Sequence, residues 1–275
     1  MGRVTVQRRI LRIRESGGSR PMDLLAAEEP LEIRLNGTPL TITMRTPGDD
    51  FDLAAGFLVS EGAVGAAGDI ESIRYCAGAT QDGRNTYNVL DVRLAPWVRP
   101  MATSLERNFY TTSSCGVCGK ASLDAVRTVA RWEVADDPIT MNPSVISELP
   151  DRLRAAQRVF DRTGGLHAAG LFTPGGVPLC VREDVGRHNA VDKLVGWALR
   201  EGMLPLSSTA LMVSGRASFE LVQKAVMAGI PVLAAVSAPS SLAVELAAES
   251  GLTLLGFVRG NSMNVYTGEA RLGAQ

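Results

Sequence analysis

Residues 210–257 read ALMVSGRASFELVQKAVMAGIPVLAAVSAPSSLAVELAAESGLTLLGF and repeat one unit, an apolar run, a turn and an amphipathic segment. The apolar runs predict strands at 210–213, 232–236 and 252–257. Apolar residues three and four positions apart predict helices at about 218–228 and 241–249. Such alternation typically builds a mainly parallel sheet covered on both faces, so this stretch predicts an α/β fold.

The same pattern extends towards the N-terminus as far as about residue 165. Strands are predicted at 168–172 and 178–182, with a helix at about 189–201 between them and the next strand. Gly202, Gly229 and Gly251 stand where the three predicted helices should stop, as expected for C-terminal caps.

The first hundred residues predict a smaller α+β unit. Residues 31–45 alternate apolar and polar side chains around Asn36-Gly37, which is a strong hairpin signal. A short helix at 49–61 and strand-like runs near 70–75 and 86–94 follow. Prolines near 96–100 suggest a linker, so we predict an N-terminal domain at 1–100 and a larger α/β domain at 101–275.

Composition restricts the class of protein. The 275 residues include 28 basic and 29 acidic side chains, a balance that argues against a general nucleic-acid surface. The chain has no apolar run of about 20 residues and no secretion signal, so we expect a cytoplasmic protein without a membrane partner. Four cysteines are too few for a disulfide scaffold in this length.

Three turns follow predicted strands, at 214–218, 237–241 and 259–264. Ligands in open α/β sheets bind outside the carboxyl ends of the strands, and helix N-termini stabilise anions. Arginine forks would suit phosphate. Ordinary serine caps and solvated arginines are the preferred explanation for any one turn, whereas the three turns together, two of them with arginine, favour nucleotide binding as much as capping. The candidate binding residues in the first two turns are Ser214, Gly215, Arg216 and Ser237.

A pair of cysteines lies in TTSSCGVCGK, residues 111–120. Cys115 and Cys118 precede a helical pattern, and both the helix dipole and Lys120 would favour a reactive thiolate. Gly116 and Gly119 leave the thiols accessible to a donor or cofactor. Zinc binding, a redox pair and inert core cysteines remain alternatives, although no second Cys-x-x-Cys supplies a full structural zinc site.

The two histidines of the chain both stand at predicted junctions between elements. His188 and Arg187 lie in the polar segment REDVGRHNAVDK at 182–193, where Asn189 or Asp184 could cap the following helix. His167 begins a predicted strand. His188 could move a proton and Arg187 could steady a thiolate or phosphate, or the segment could be a capped helix start with local ion pairs.

Five motifs together carry a resemblance to the FdhD family, the formate dehydrogenase accessory sulfurtransferases. They are SSCGVCGK at 113–120, TGGLHAAGLF at 163–172, REDVGRHNAVDKLVG at 182–196, MVSGRASFELVQKA at 212–225 and GFVRGNSMNVYTG at 256–268. The resemblance covers most of residues 30–268, and the combination is far more specific than the cysteine pair alone.

The resemblance implies a cytoplasmic sulfurtransferase. It would take persulfide sulfur from a cysteine desulfurase and pass it to the bis-molybdopterin guanine dinucleotide cofactor (Mo-bis-MGD) of formate dehydrogenase. Cys115 would carry the persulfide, with Cys118 as its partner. Guanine nucleotides would mimic the cofactor. Its binding segment would be Phe257, Val258, Arg259, Gly260, Asn261 and Ser262.

The family's larger domain is similar to cytidine deaminases, so the resemblance implies a three-layer α/β/α domain. Deaminases bind zinc through His-x-Glu and Pro-Cys-x-x-Cys motifs. This chain has no His-x-Glu and no proline before Cys115, so we expect the fold without the metal. The family also implies a homodimer. The alternative function is a chaperone that binds the cofactor without obligatory sulfur transfer.

Overall fold

The structure is a computed structural model that describes residues 4–76, 86–98, 126 and 130–273. Its first elements form two short antiparallel ribbons that sequence reading did not predict. β1 (Thr5–Arg9) pairs with β4 (Met22–Ala26), and β2 (Arg12–Arg14) pairs with β3 (Gly17–Ser19). Basic side chains in β1 and β2 hid the strand pattern because a two-stranded ribbon buries little of either face.

A four-stranded sheet and one helix follow. β5 (Glu29–Leu35) and β6 (Thr38–Arg45) form the predicted hairpin, in which Asn36 and Gly37 have φ of 51° and 83°. Positive φ at both positions is the geometry that favours Asn-Gly in tight hairpins. α1 (Asp50–Ser60), β7 (Ile70–Tyr75) and β8 (Val89–Leu94) complete the unit in the order β6-β5-β8-β7. The predicted helix at 49–61 is confirmed.

The second sheet has six strands in the order β10-β9-β11-β12-β13-β14. Its strands are β9 (His167–Phe172), β10 (Pro178–Asp184), β11 (Ala210–Val213), β12 (Val232–Ala235), β13 (Thr253–Arg259) and β14 (Ser262–Thr267). Only β11–β12 and β12–β13 pair in parallel. The prediction of a mainly parallel sheet is therefore wrong. Short loops join β9 to β10 and β13 to β14, and a parallel crossover needs a much longer connection.

Helices cover both faces of this sheet, as predicted. On one face, α2 (Pro143–Ala156) packs Ile146 and Leu149 against the sheet, and the short α3 (Arg158–Thr163) follows it. The opposite face carries α4 (Arg187–Arg200), α5 (Phe219–Met227) and α6 (Ser241–Glu249). The three predicted helix stops, Gly202, Gly229 and Gly251, have φ of 69°, 72° and 66°. The mixed α/β architecture is thus established.

One apolar core joins the two sheets. Leu31, Leu53 and Leu90 of the N-terminal unit belong to the same cluster of buried side chains as Leu194 and Leu211 of the larger sheet. The proposed division at residue 100 stays a prediction. Among the described residues, no helix combines the length and apolar character needed to cross a membrane.

Candidate functional site

Cys115, Cys118 and Lys120 lie outside the described residues. The structure therefore describes the predicted ligand site at the strand ends. Thiol chemistry and metal binding at the cysteine pair both remain predictions. The other predicted site residues all lie in described parts of the chain.

The structure brings the three strand-end turns together. The backbone N–H of Ser237 donates to the carbonyl of Gly215 at 3.3 Å, and that of Phe257 donates to the carbonyl of Ser237 at 3.2 Å. Ala217 and Pro239 form a further bridge between the first two turns. These bonds hold the turns side by side at one edge of the sheet, where ligands of α/β folds bind.

The serines of these turns have local partners. Ser214 Oγ accepts from the backbone N–H of Ala168 at 2.9 Å and ties the first turn to the start of β9. Ser240 Oγ accepts from the N–H of Ala243 at 3.3 Å and caps α6. Ser218 is the N-cap residue of α5 but makes no capping bond through its side chain. Side-chain capping is thus seen at one of these turns, through Ser240.

The arginines of these turns are free. Arg216 and Arg259 are exposed, and neither guanidinium forms an ion pair or hydrogen bond with any described residue. A planar guanidinium in this state can bind phosphate through two parallel hydrogen bonds. The turns therefore place two exposed cationic groups at the same edge of the sheet.

The segment 257–262 adopts an irregular backbone. The pairing of β13 with β14 shifts register between Gly256 and Arg259, which marks a bulge. Phe257 in this bulge has φ of 52°, a left-handed conformation that is unfavourable for a bulky side chain. Bulges and such outliers concentrate next to functional sites because they redirect neighbouring side chains.

A cavity of about 670 Å³ opens beside this bulge. Five predicted site residues line it, namely His167, Ser214, Val258, Arg259 and Gly260. The remaining predicted residues do not line it and lie in the flanking turns or at the start of α4: Phe257, Asn261, Ser262, Gly215, Arg216, Ser237, Arg187 and His188. We call this space the strand-end cavity. Its volume is within the range of small-molecule sites.

Sequence reading missed one wall of the strand-end cavity. Arg154 lies in α2, Phe160 in α3 and Gln157 between the two helices, for which no bounds were predicted. The guanidinium carbon of Arg154 lies 4.5 Å from the centroid of the Phe160 ring, a cation–π contact. Asn142-Pro143 was the available signal, because Asn142 caps α2 by accepting from the N–H of Ser144 at 2.9 Å.

The two histidines lie close to one another beside this cavity. His188 Nε2 is 2.6 Å from Glu220 Oε2 and 3.3 Å from Ser218 Oγ. The hydrogen bond from His188 lowers the pKa of Glu220 below its usual range. Burial lowers the pKa of His167, and the charges of Arg187 and His188 lower it further. The arrangement thus links His188 to Glu220 by a hydrogen bond and disfavours protonation of His167.

The start of α4 differs from prediction. Gly186, rather than Asn189 or Asp184, is the N-cap residue, and no side chain caps the helix. Asp184 and Asn189 instead bond across to the N-terminal unit, since Asp184 Oδ2 accepts from the N–H of Thr46 at 3.1 Å. Arg187 Nε is buried without a hydrogen-bond partner among the described residues.

The unfolding free energy should fall with decreasing pH in part because of His167. Its pKa is lowered in the folded chain, so below about pH 6.5 the unfolded chain binds a proton that the folded chain resists. The contribution of His167 to stability is complete above that pH and is lost as the pH falls. We expect His167→Gln to flatten the decline in unfolding free energy between about pH 7 and pH 5. Urea titrations measure this, and equal declines in both proteins would contradict it.

The chain belongs to the class of mixed α/β folds, and its candidate site is a cavity at the strand ends beside two exposed arginines. Within that class the family is clear. Residues 26–273 match the model of the FdhD/NarQ family, and the chain belongs to that family.

Similar proteins agree with this assignment. The chain is 72% identical over 273 residues to the sulfur carrier protein FdhD of Streptomyces avermitilis, covering 99% of this chain and 97% of the relative. It is 57% identical to the protein of the same name in Mycobacterium tuberculosis, with 99% and 100% covered. A solved structure described as a formate dehydrogenase accessory protein, from Desulfotalea psychrophila, matches with a TM-score of 0.73 at 23% identity, covering 98% of this chain and all of that one. That similarity shows the fold alone.

Proposed function

We propose that the chain carries sulfur from a cysteine desulfurase to the Mo-bis-MGD cofactor before the cofactor enters formate dehydrogenase. The observation that carries the proposal is the strand-end cavity, whose exposed Arg259 and flanking Arg216 suit the phosphates of a dinucleotide, in a member of the FdhD/NarQ family. Relatives named sulfur carrier proteins support the sulfur-transfer role.

The sulfur step would run through Cys115. Its thiolate attacks the terminal sulfur of the desulfurase persulfide, so that the donor S–S bond breaks, a new one forms on Cys115 and the desulfurase thiolate leaves. Cys118 thiolate then attacks the inner sulfur, which releases the terminal sulfur as hydrosulfide to the bound cofactor. The two cysteines are left as a disulfide, and a dithiol reductant restores them.

The described residues suggest how the cofactor is held during this step. Arg259 and Arg216 would bind phosphate groups, and the strand-end cavity would enclose one nucleotide arm. The pair His188 and Glu220 could accept the proton from an incoming thiol and return it to a departing thiolate. A cytidine deaminase-like topology is part of the proposal, supported by the antiparallel β9–β10 pair followed by parallel β11, β12 and β13.

Cys115→Ala should abolish persulfide formation. The measurement is mass spectrometry of the whole protein after incubation with a cysteine desulfurase and cysteine, where wild type should gain sulfur and the variant should not. Cys180→Ala is a matched control, because Cys180 is buried and burial raises the pKa of its thiol to about 11. That variant should still gain sulfur, since a buried thiol of raised pKa is a poor nucleophile.

Undiminished sulfur on Cys115→Ala would rule out the assignment of Cys115. The same preparations separate the chaperone alternative, which the strand-end cavity supports equally well. If a variant lacking both Cys115 and Cys118 still activates formate dehydrogenase, the chain delivers cofactor without obligatory sulfur transfer.

A further inference from the structure

One buried side chain in the wall of the strand-end cavity has unused hydrogen-bonding groups. Gln157 is 4% exposed and lines the cavity, yet its amide has no partner among the described residues. Its backbone, in contrast, is satisfied, since its N–H donates to Arg154 at 3.2 Å and its carbonyl accepts from Asp161 at 3.1 Å. Among the described residues, the fully buried side-chain atoms without a partner are Arg182 Nε and Arg187 Nε. The amide of Gln157 therefore keeps contact with the space of the cavity, where a ligand can reach it.

The position of Gln157 is fixed by the backbone. It separates α2 from α3, and its ψ of 78° breaks the helical path between them. The break turns α3 so that Arg154, at the end of α2, stacks on Phe160 at 4.5 Å. Gln157, this stacked pair and Arg259 all line the cavity, and the guanidinium of Arg154 also forms an ion pair with Asp161.

These groups specify the chemistry of an occupant. A primary amide presents a donor and an acceptor side by side, which matches the hydrogen-bonding edge of a nucleobase. A stacked guanidinium and aromatic ring favour a planar ligand, and a free arginine favours an anion. A nucleotide combines all three properties, with its base near Gln157 and its phosphates near Arg259.

We propose that Gln157 reads the base edge of a guanine nucleotide bound in the strand-end cavity. The inference rests on the proposed function, because the cofactor supplies the guanine. It adds a specificity residue that lies outside the segment 257–262 and on a different layer of the fold.

Substitution by leucine tests this directly. Gln157→Leu keeps the bulk of the side chain and removes both hydrogen-bonding groups. We expect the Kd for GDP to rise about tenfold, the Kd for pyrophosphate to stay unchanged and the Tm not to fall. Calorimetric titration and thermal unfolding of the full chain give these values. Gln223→Leu is the matched control, since Gln223 donates to the carbonyl of Ser60 at 3.4 Å and does not line the cavity.

Each outcome separates this inference from the proposed function. An unchanged Kd for GDP in Gln157→Leu would overturn the inference alone. A lowered Tm with equal losses for GDP and pyrophosphate would also overturn it, because it would show a structural role. Failure of the wild-type chain to bind GDP would overturn both the inference and the proposed cofactor binding. Sulfur transfer would then be tested separately, by the persulfide assay on Cys115.

Discussion

Gly196→Ala should destabilise the fold by about 3 kcal/mol, at the upper end of the cost of overpacking. A Cβ atom at position 196 would lie 1.8 Å from the carbonyl oxygen of Asp52. The reciprocal contact is equally close, because a Cβ at Gly56 would lie 1.8 Å from the carbonyl oxygen of Asp192. α1 and α4 thus touch backbone to backbone, and any side chain at the crossing must push them apart.

Separation of the helices would also break polar contacts that depend on their spacing. Ser60 Oγ of α1 donates to Asp192 of α4 at 2.7 Å, and Arg182 donates to Asp52 at 3.1 Å. All four side chains are at least partly buried. Overpacking here therefore costs hydrogen bonds as well as van der Waals contacts.

Gly196→Ala should lower the unfolding free energy, whereas glycine-to-alanine changes in helices usually raise it. Alanine replacing glycine in an unconstrained helix interior stabilises by about 1 kcal/mol, so the crossing must reverse the usual outcome. Urea unfolding of Gly196→Ala measures the change. Gly68→Ala is the control, because a Cβ there meets nothing within 4 Å, and it should stay within about 0.5 kcal/mol of wild type. A variant at position 196 as stable as wild type would contradict the close crossing.

The same crossing shows what a sequence can and cannot reveal. Apolar spacing placed α1 and α4 within two residues of their observed ends, because helix periodicity is a local property. The close approach of Gly56 to α4 is a tertiary property, and an isolated glycine in a helical pattern signals only low propensity.

Strand direction was misjudged for a related reason. The apolar runs located β9 to β13, but pairing direction depends on how long each connection is and where it returns. The loops after β9 and β13 are too short for a crossover, so these two strand pairs are antiparallel although the strand-helix repeat predicted parallel ones.

The candidate site was predicted in part. Turns that follow strands were identified because their position in the fold is general to α/β sheets. Arg154, Gln157 and Phe160 were missed because nothing local links α2 to the carboxyl ends of distant strands. Likewise, Asp184 and Asn189 are residue types that often cap helices, yet each bonds to the N-terminal unit, Asp184 to Thr46 and Asn189 to Met44.

Lys193→Met should cost about 3–5 kcal/mol of unfolding free energy, because it would leave a buried carboxylate without its counter-ion. Lys193 Nζ lies 2.7 Å from Asp184 Oδ2, and the two side chains are 2% and 0% exposed. Lys193 also donates to the carbonyl of Thr46 at 2.8 Å. The pair therefore joins the end of β6 to the end of β10 and to α4.

The carboxylate of Asp184 is fully engaged. Its Oδ1 accepts from the N–H of Gly186 at 2.8 Å and from Asn189 Nδ2 at 3.0 Å, while Oδ2 accepts from Thr46 and Lys193. These donors orient the carboxylate, but Lys193 supplies the only full positive charge among its four partners. Removal of that charge is thus the most damaging single change in the cluster.

A double-mutant cycle isolates the charge from the packing. Asp184→Asn combined with Lys193→Met removes both charges, so the double variant should lose less stability than the two single variants summed. Arg93→Met, at an exposed position, should change stability by less than about 0.5 kcal/mol. Strict additivity would show that the two charges do not interact.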